Sequence, residues 1–108
     1  MNDDALLRGP SPPVGSVQVA LGPGALLITL TGEVDAALSE ELDEAVRAVR
    51  AHDLPVMIDA LGVSFMSSEG ARFVSQCYAH GPLTVAGSPP VRFLLMLLAM
   101  EDVLTPPE

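Results

Sequence analysis

The sequence is poor in cysteine and in basic residues. Its 108 residues include one cysteine, Cys77, and five Lys or Arg against fourteen Asp or Glu, so the formal net charge is -9. A single cysteine excludes an internal disulfide, which suits a reducing cytosol. The shortage of basic residues argues against a nucleic-acid partner and against docking on an anionic membrane surface, because both are bound mainly through Lys and Arg.

Long hydrophobic runs are also missing. The longest extends over eight residues, from Phe93 to Met100, whereas a membrane span needs about 20. The first four residues, Met1 to Asp4, include two acids, whereas a signal peptide begins with basic residues. We therefore expect a soluble, cytoplasmic protein with no direct membrane insertion.

Residues that could support catalysis or metal binding are sparse. The two histidines, His52 and His80, are isolated, and a metal site needs clustered His, Cys or carboxylate ligands. Ser67 and Ser68 have neither a nucleophile-elbow glycine pattern nor a neighbouring base. The sequence thus predicts no enzyme activity, no catalytic residue, no metal and no cofactor.

The patterns that are present predict one α/β domain. The length fits a single domain, and a hydrophobic fraction of 49% is enough for a core. Residues 1–15, rich in proline and glycine, predict a flexible N-terminal arm, residues 16–104 the folded domain and residues 105–108 a disordered tail. Alternating apolar residues predict a hairpin of strands at 16–21 and 25–31, followed by a loop at 32–35.

The rest of the chain alternates between helical and strand patterns. In chain order these predict a helix from Leu38 to Val49, a strand at 56–61, a helix ending near Ala79, a strand at 83–86 and a last helix at 91–100. The strand at 56–61 is a nearly continuous apolar run, which is typical of a strand covered on both faces. In the helix that follows it, we expect the inward side chains to be Ala71, Val74, Cys77 and Tyr78.

Ser67 and Ser68 lie where the strand at 56–61 leads into that helix. A serine at a helix start acts as a cap and stabilises the helix by about 1 kcal/mol. The same position offers free backbone amides and positive potential, so it suits a phosphate. A phosphoserine there would leave the fold intact but add nearly two negative charges to the surface. Position alone leaves both roles open.

The order of three sequence motifs resembles STAS domains. Leu30-Thr31-Gly32-Glu33-Val34-Asp35, followed by an acidic amphipathic helix, resembles their opening. The segment from Val56 through Phe65-Met66-Ser67-Ser68-Glu69-Gly70 resembles their central strand and phospho-acceptor loop, and residues 83–87 with 90–94 resemble their fourth strand and third helix. The resemblance covers about residues 16–104. It implies a STAS-type single α/β domain with a mixed four- to five-stranded sheet and about three helices packed on it.

Within that family, the sequence is most similar to bacterial anti-sigma factor antagonists, which implies partner switching. There, the unphosphorylated antagonist binds an anti-sigma factor that is also a serine kinase, and a sigma factor is released. The kinase phosphorylates a loop serine, and a metal-dependent phosphatase resets the system. The modified position falls on Ser68. The implied partner-binding residues are Gly32, Glu33, Asp35, Met66, Ser67, Ser68, Glu69, Gly70 and Arg72.

The acceptor loop departs from the family pattern, which is typically Asp-Ser-Ser-Gly or Asp-Ser-Thr-Gly. Ser67 stands in place of Asp, and Glu69 stands in place of the second hydroxyl residue. Glu69 puts a permanent charge beside Ser68, which either disfavours a phosphate there or imitates one. Arg72 stands where a small residue is common, and could pair with Glu69 or with a phosphate. Ser67 is the second candidate acceptor.

The last predicted helix is apolar all round, and such a helix is expected to be buried on every side. Since the family often continues with another strand and a final helix, we expect one face of this helix to stay open. Either the N-terminal arm or a partner would then cover it, and a second copy would make a homodimer. This apolarity and the altered loop support an alternative function, a non-phosphorylated STAS docking subunit of a lipid-transport ABC system.

Overall fold

The computed structural model describes residues 14–106, so the predicted arm up to residue 13 and the last two residues of the predicted tail lie outside it. The main elements are β1 Ser16–Gly22, β2 Ala25–Val34, α1 Ser39–Ala51, β3 Val56–Met66, α2 Ser68–His80, β4 Leu83–Gly87 and α3 Pro89–Leu97. Short 3-10 helices cover Ala36–Leu38 and Glu101–Val103. The predicted α/β class, with a mixed four-stranded sheet and three helices, is confirmed.

The four strands lie side by side in chain order. β1 and β2 form an antiparallel hairpin, whereas β2, β3 and β4 run parallel and are connected through α1 and α2. The three parallel strands therefore end at the same side of the sheet, at Val34, Met66 and Gly87. We call this side the carboxyl edge.

The helices cover only one face of the sheet. Along β3, Val56 and Ile58 are buried, while Met57 and Leu61 are 50% and 61% exposed. The prediction that this strand is covered on both faces is wrong. Apolar residues also occupy its outward positions, so the apolar run conceals an alternation between a buried and an open face.

Helix α1 was predicted from the spacing of its apolar residues, and the structure bears out that pattern. Asp35 precedes it and caps the short 3-10 helix, since its Oδ1 accepts a hydrogen bond of 3.0 Å from the amide of Ala37. Glu40 and Glu41 lie in the first turn and Arg50 in the last, as the helix dipole favours. Its buried residues are Leu42, Ala45, Val46 and Val49.

Helix α2 buries Val74 and Cys77 as predicted, but the rest of its buried stripe differs from the prediction. Phe73 is 1% exposed, whereas Tyr78 is 42% exposed and donates a hydrogen bond of 3.2 Å to Oδ2 of Asp102. The prediction of an inward Tyr78 is therefore wrong. The reason is that Gly70, which has no side chain to mark it as apolar, begins the buried stripe. The stripe consists of Gly70, Phe73, Val74 and Cys77.

Helix α3 ends at Leu97, three residues before its predicted end. Ala99 has a backbone φ angle of 57°, and the amide of Met100 donates a hydrogen bond of 2.8 Å to the carbonyl of Leu95. A left-handed residue followed by such a bond closes a helix, because it satisfies the last free carbonyls.

Beyond this point the chain returns to the sheet. The amide of Thr105 donates a hydrogen bond of 2.9 Å to the carbonyl of Val85, at the outer side of β4. Nη1 of Arg92 donates a bond of 2.8 Å to the carbonyl of Thr105. Thr105, the first residue of the predicted tail, is thus held against the domain.

Much of α3 is exposed despite its apolar sequence. Val91 and Leu95 are buried, whereas Phe93, Met96 and Leu97 are 64%, 59% and 67% exposed. One face of the helix is therefore open among residues 14–106, and what covers it stays a prediction. No helix in this described part of the chain is long and apolar enough to span a membrane.

Cys77 is expected to resist thiol reagents while the protein is folded. The side chain is 1% exposed, and burial raises its pKa from 9.0 to about 12. That rise lowers the thiolate fraction at pH 8 roughly a thousandfold, and the thiolate is the reactive form. Labelling with a coloured disulfide reagent should be at least about a hundredfold slower in buffer than in denaturant. Equal rates would show that Cys77 is accessible in the folded state.

Candidate functional site

The carboxyl edge brings together two of the predicted segments, at 32–35 and at 66–70. Val34 and Met66 are paired in the parallel ladder, and the amide of Ser67 donates a hydrogen bond of 2.9 Å to the carbonyl of Val34. The end of β2 thus holds the beginning of the loop that leads into α2.

The segment 32–35, predicted as a loop, is largely the last part of β2. Gly32 has a backbone φ angle of 69°, and a Cβ atom at this position would lie 2.6 Å from the carbonyl oxygen of Val14. Only glycine fits such a left-handed position at so close an approach. The pairing with β3 also shifts register between Gly32 and Glu33, as at a β-bulge. The Glu33 side chain is exposed between the buried Gly32 and Val34, as strand alternation predicts.

Ser67, rather than Ser68, caps helix α2. Its Oγ accepts a hydrogen bond of 3.3 Å from the amide of Glu69. Ser68 is the first residue of the helix and is exposed. Since an N-cap serine satisfies a free amide of the first turn, Ser67 has a structural role that Ser68 does not share.

Glu69 joins the two serines. Its Oε1 accepts a hydrogen bond of 3.1 Å from the hydroxyl of Ser67 and one of 3.3 Å from the hydroxyl of Ser68. The residue that replaces the family's second hydroxyl therefore contacts both candidate acceptors. Because its carboxylate lies in the first turn of α2, the helix dipole favours its charge.

Gly70 allows α2 to begin directly against the sheet. It is buried, and a Cβ there would meet the side chain of Met66 and lie 3.1 Å from Cγ1 of Val34. Met66 is itself 8% exposed. Of the predicted partner-binding residues, Gly32, Met66 and Gly70 thus shape the backbone of the site rather than offer side chains to a partner.

The side chains that can meet a partner lie around this frame. Glu33, Ser68 and Arg72 are exposed, and Asp35 is partly so although it caps the 3-10 helix. Phe65, which is not among the predicted partner-binding residues, is 50% exposed and pairs with Glu33 across the strands. Its neighbour Met66 points inward, so strand alternation could have marked Phe65 as an outward residue. We call Glu33, Phe65, Ser68, Glu69 and Arg72 the carboxyl-edge surface.

The chemistry available at this surface is that of recognition and modification. Among residues 14–106 no group of three His, Cys, Asp or Glu side chains could hold a metal ion. The hydroxyl of Ser68 is accessible at the start of a thirteen-residue helix, and a helix start favours a phosphate. Glu33 and Glu69 make the surroundings acidic, with Arg72 as the basic member of the surface.

Comparison with known proteins places the fold. The chain is similar to the crystal structure of an anti-sigma factor antagonist from Mycobacterium paratuberculosis, with a TM-score of 0.76, 24% identity and coverage of 90% of each chain. It is also similar to the antagonist SpoIIAA in its unphosphorylated form, with a TM-score of 0.68, 17% identity and coverage of 86% and 89%. The phosphorylated form of this Bacillus cell fate determinant matches with a TM-score of 0.72, 18% identity and coverage of 86% and 92%.

These neighbours are anti-sigma factor antagonists, and they share the predicted STAS fold with this chain. No protein-family model and no curated protein sequence matches the chain.

Proposed function

We propose that the chain is an anti-sigma factor antagonist that binds an anti-sigma factor with serine-kinase activity through the carboxyl-edge surface. The observation that carries this proposal is the placement of Ser68. Its hydroxyl is exposed at the first position of α2, while Ser67 supplies the cap and Met66 and Gly70 fix the backbone. The fold that surrounds this serine is that of solved antagonists.

Phosphorylation of Ser68 would act on the surface and spare the fold. The hydroxyl makes its hydrogen bond to Glu69 and is not the cap of α2, so its loss as a donor removes no contact between elements. A phosphate adds nearly two negative charges, next to the carboxylate of Glu69. A partner that fits the unmodified surface would meet a strongly acidic one.

A phosphorylation assay tests this proposal. The chain is incubated with ATP and a cognate anti-sigma kinase, and the modified residue is located by mass spectrometry. We expect one phosphate at Ser68, none in Ser68→Ala, and an undiminished yield in Ser67→Thr, which keeps a capping hydroxyl. Addition of a metal-dependent phosphatase should remove the phosphate. Modification at Ser67 alone, or none with a kinase that binds the chain, would refute the assignment of Ser68.

A second function is supported by the open face of α3. Phe93, Met96 and Leu97 follow one another at helical spacing and are all more than half exposed, and large exposed apolar patches mark interfaces. Such a face suits a permanent partner, as in a docking subunit of a lipid-transport ABC system. Co-purification of transporter subunits with the tagged chain, with no kinase recovered, would favour this function over the antagonist.

A further inference from the structure

The outer edge of β1 differs from the outer edge of β4. Residues 104 and 105 pair with Val85 and so cover part of the β4 edge. Within residues 14–106, β1 pairs with β2 and with no other strand. Its seven residues, Ser16–Gly22, contain no charged residue and no proline. Exposed edges are commonly protected by charges, prolines or bulges, and β1 has none of these.

The direction of the β1 backbone groups follows from the hydrogen bonds of β2. The amide of Leu26 donates to the carbonyl of Pro55, on the β3 side. Backbone amide and carbonyl groups alternate in direction along a strand, so those of Leu27 and Thr29 point toward β1. Their partners there are Ala20 and Gln18. The residues between, which are Val17, Val19 and Leu21, therefore direct their amide and carbonyl groups away from the sheet.

A groove runs beside this edge, between β1 and α1. It has a volume of about 260 Å³, and its lining residues are Val17, Val19, Glu41, Glu44, Ala45 and Ala48. The floor is apolar, and the two glutamates form an acidic wall. A strand added to β1 would lie about 4.8 Å outside it, and every second side chain of that strand would enter the groove.

From these observations we propose that the outer edge of β1 binds an extended segment of another protein by adding it to the sheet as a fifth full strand. Of the side chains that enter the groove, some are apolar and at least one is Lys or Arg. The apolar ones pack on Val17 and Val19, and the basic one meets Glu41 or Glu44. Main-chain hydrogen bonds supply affinity in this mode and the alternate side chains supply specificity. This surface is separate from the carboxyl-edge surface and does not depend on the function proposed for it.

The charge of the groove indicates whether the strand added to β1 comes from another protein or from a second copy of this chain. A second β1 would bring a second Glu41 and Glu44 to the same groove, and each chain carries a net charge of -9. Like charges at an interface are costly, whereas a basic segment is attracted by the acidic chain as a whole. The occupant is thus a basic, extended segment of a different protein.

Two capped peptides test the proposal, Thr-Lys-Thr-Val-Thr-Lys-Thr-Val and the same peptide with Glu in place of Lys. Binding to the full chain is followed by NMR, together with hydrogen exchange of the backbone amides. We expect the Lys peptide to protect the amides of Val17, Val19 and Leu21 and to bind at least about tenfold more tightly than the Glu peptide. The double variant Glu41→Lys/Glu44→Lys should reverse this preference.

The matched variants Val19→Pro and Val19→Ala isolate the main chain. Proline at position 19 removes the outward backbone amide, which makes no hydrogen bond to β2. Alanine keeps that amide and also shortens the valine side chain. Val19→Pro should bind the Lys peptide about tenfold more weakly than Val19→Ala does. The unfolding midpoints of both variants serve as a control. If Val19→Pro does not fold, the charge-reversal variant decides.

Several results would overturn the proposal. One is that neither peptide, at about 1 mM, changes the NMR signals or the amide exchange, since even a very weak complex has a Kd in that range. Another is equal binding by the proline and alanine variants. A third is protection of the three amides without peptide. If that protection rises with protein concentration, a second copy occupies the edge, and if it does not, residues of the same chain outside the described range do.

Discussion

Phe73→Ala is expected to lower the free energy of unfolding by about 3–5 kcal/mol. The ring is 1% exposed in the core that α2 forms with the sheet, and truncation leaves a cavity that packed neighbours cannot fill. A domain of this size has a total stability of about 5–15 kcal/mol. The loss would therefore remove a large fraction of it. Urea denaturation followed by circular dichroism measures the difference.

Phe93→Ala is the matched control for this prediction. It removes the same atoms from a ring that is 64% exposed on α3, so the expected change is below about 1 kcal/mol. If the two variants lose equal stability, either Phe73 is not the core residue described or the face of α3 is covered by something that stabilises the fold.

Ser68→Glu is expected to weaken binding to the proposed anti-sigma kinase partner about a hundredfold while leaving the fold stable. The new carboxylate would stand beside Glu69, and like charges at an interface cost several kcal/mol. Stability should change little, since an acid in the first turn of a helix is worth about 0.3–1 kcal/mol in its favour. Calorimetric titration and thermal unfolding of the same sample separate the two effects.

The control places the same charge at the opposite side of the sheet. Thr84 is exposed near the beginning of β4 and pairs with Met57, nine residues along β3 from Met66 beside the acceptor loop, so Thr84→Glu should bind as the unchanged chain does. Loss of affinity in both variants would indicate a general effect of charge. No loss in Ser68→Glu would mean that the partner does not contact the start of α2.

The helices and strands were predicted well where the apolar residues followed a single helical or strand periodicity. Helix α1 has polar residues on one side and apolar ones on the other, so its spacing alone identified the buried face. Strand β3 was harder, because Met57 and Leu61 place apolar side chains on the open face. With both faces apolar, composition cannot show which of them is covered.

The site was predicted as a group of residues but not in its details. The order of motifs led to segments 32–35 and 66–70, which the parallel pairing of Val34 with Met66 brings together. The choice of Ser67 as the cap depends on where α2 begins, and a helix boundary shifts easily by one residue. The contacts of Glu69 with both serines depend on that boundary, so no pattern could have predicted them.

The most direct test of the central claim is an NMR titration of the isotope-labelled chain with the proposed anti-sigma kinase. The account predicts that the largest changes of the backbone amide signals occur at Glu33 and at residues 65–72, and that they vanish when Ser68 is phosphorylated. The signals of Gly81 and Thr84, at the opposite side of the sheet, should stay unchanged. Changes confined to that opposite side, or to α3, with residues 65–72 unaffected, would contradict it.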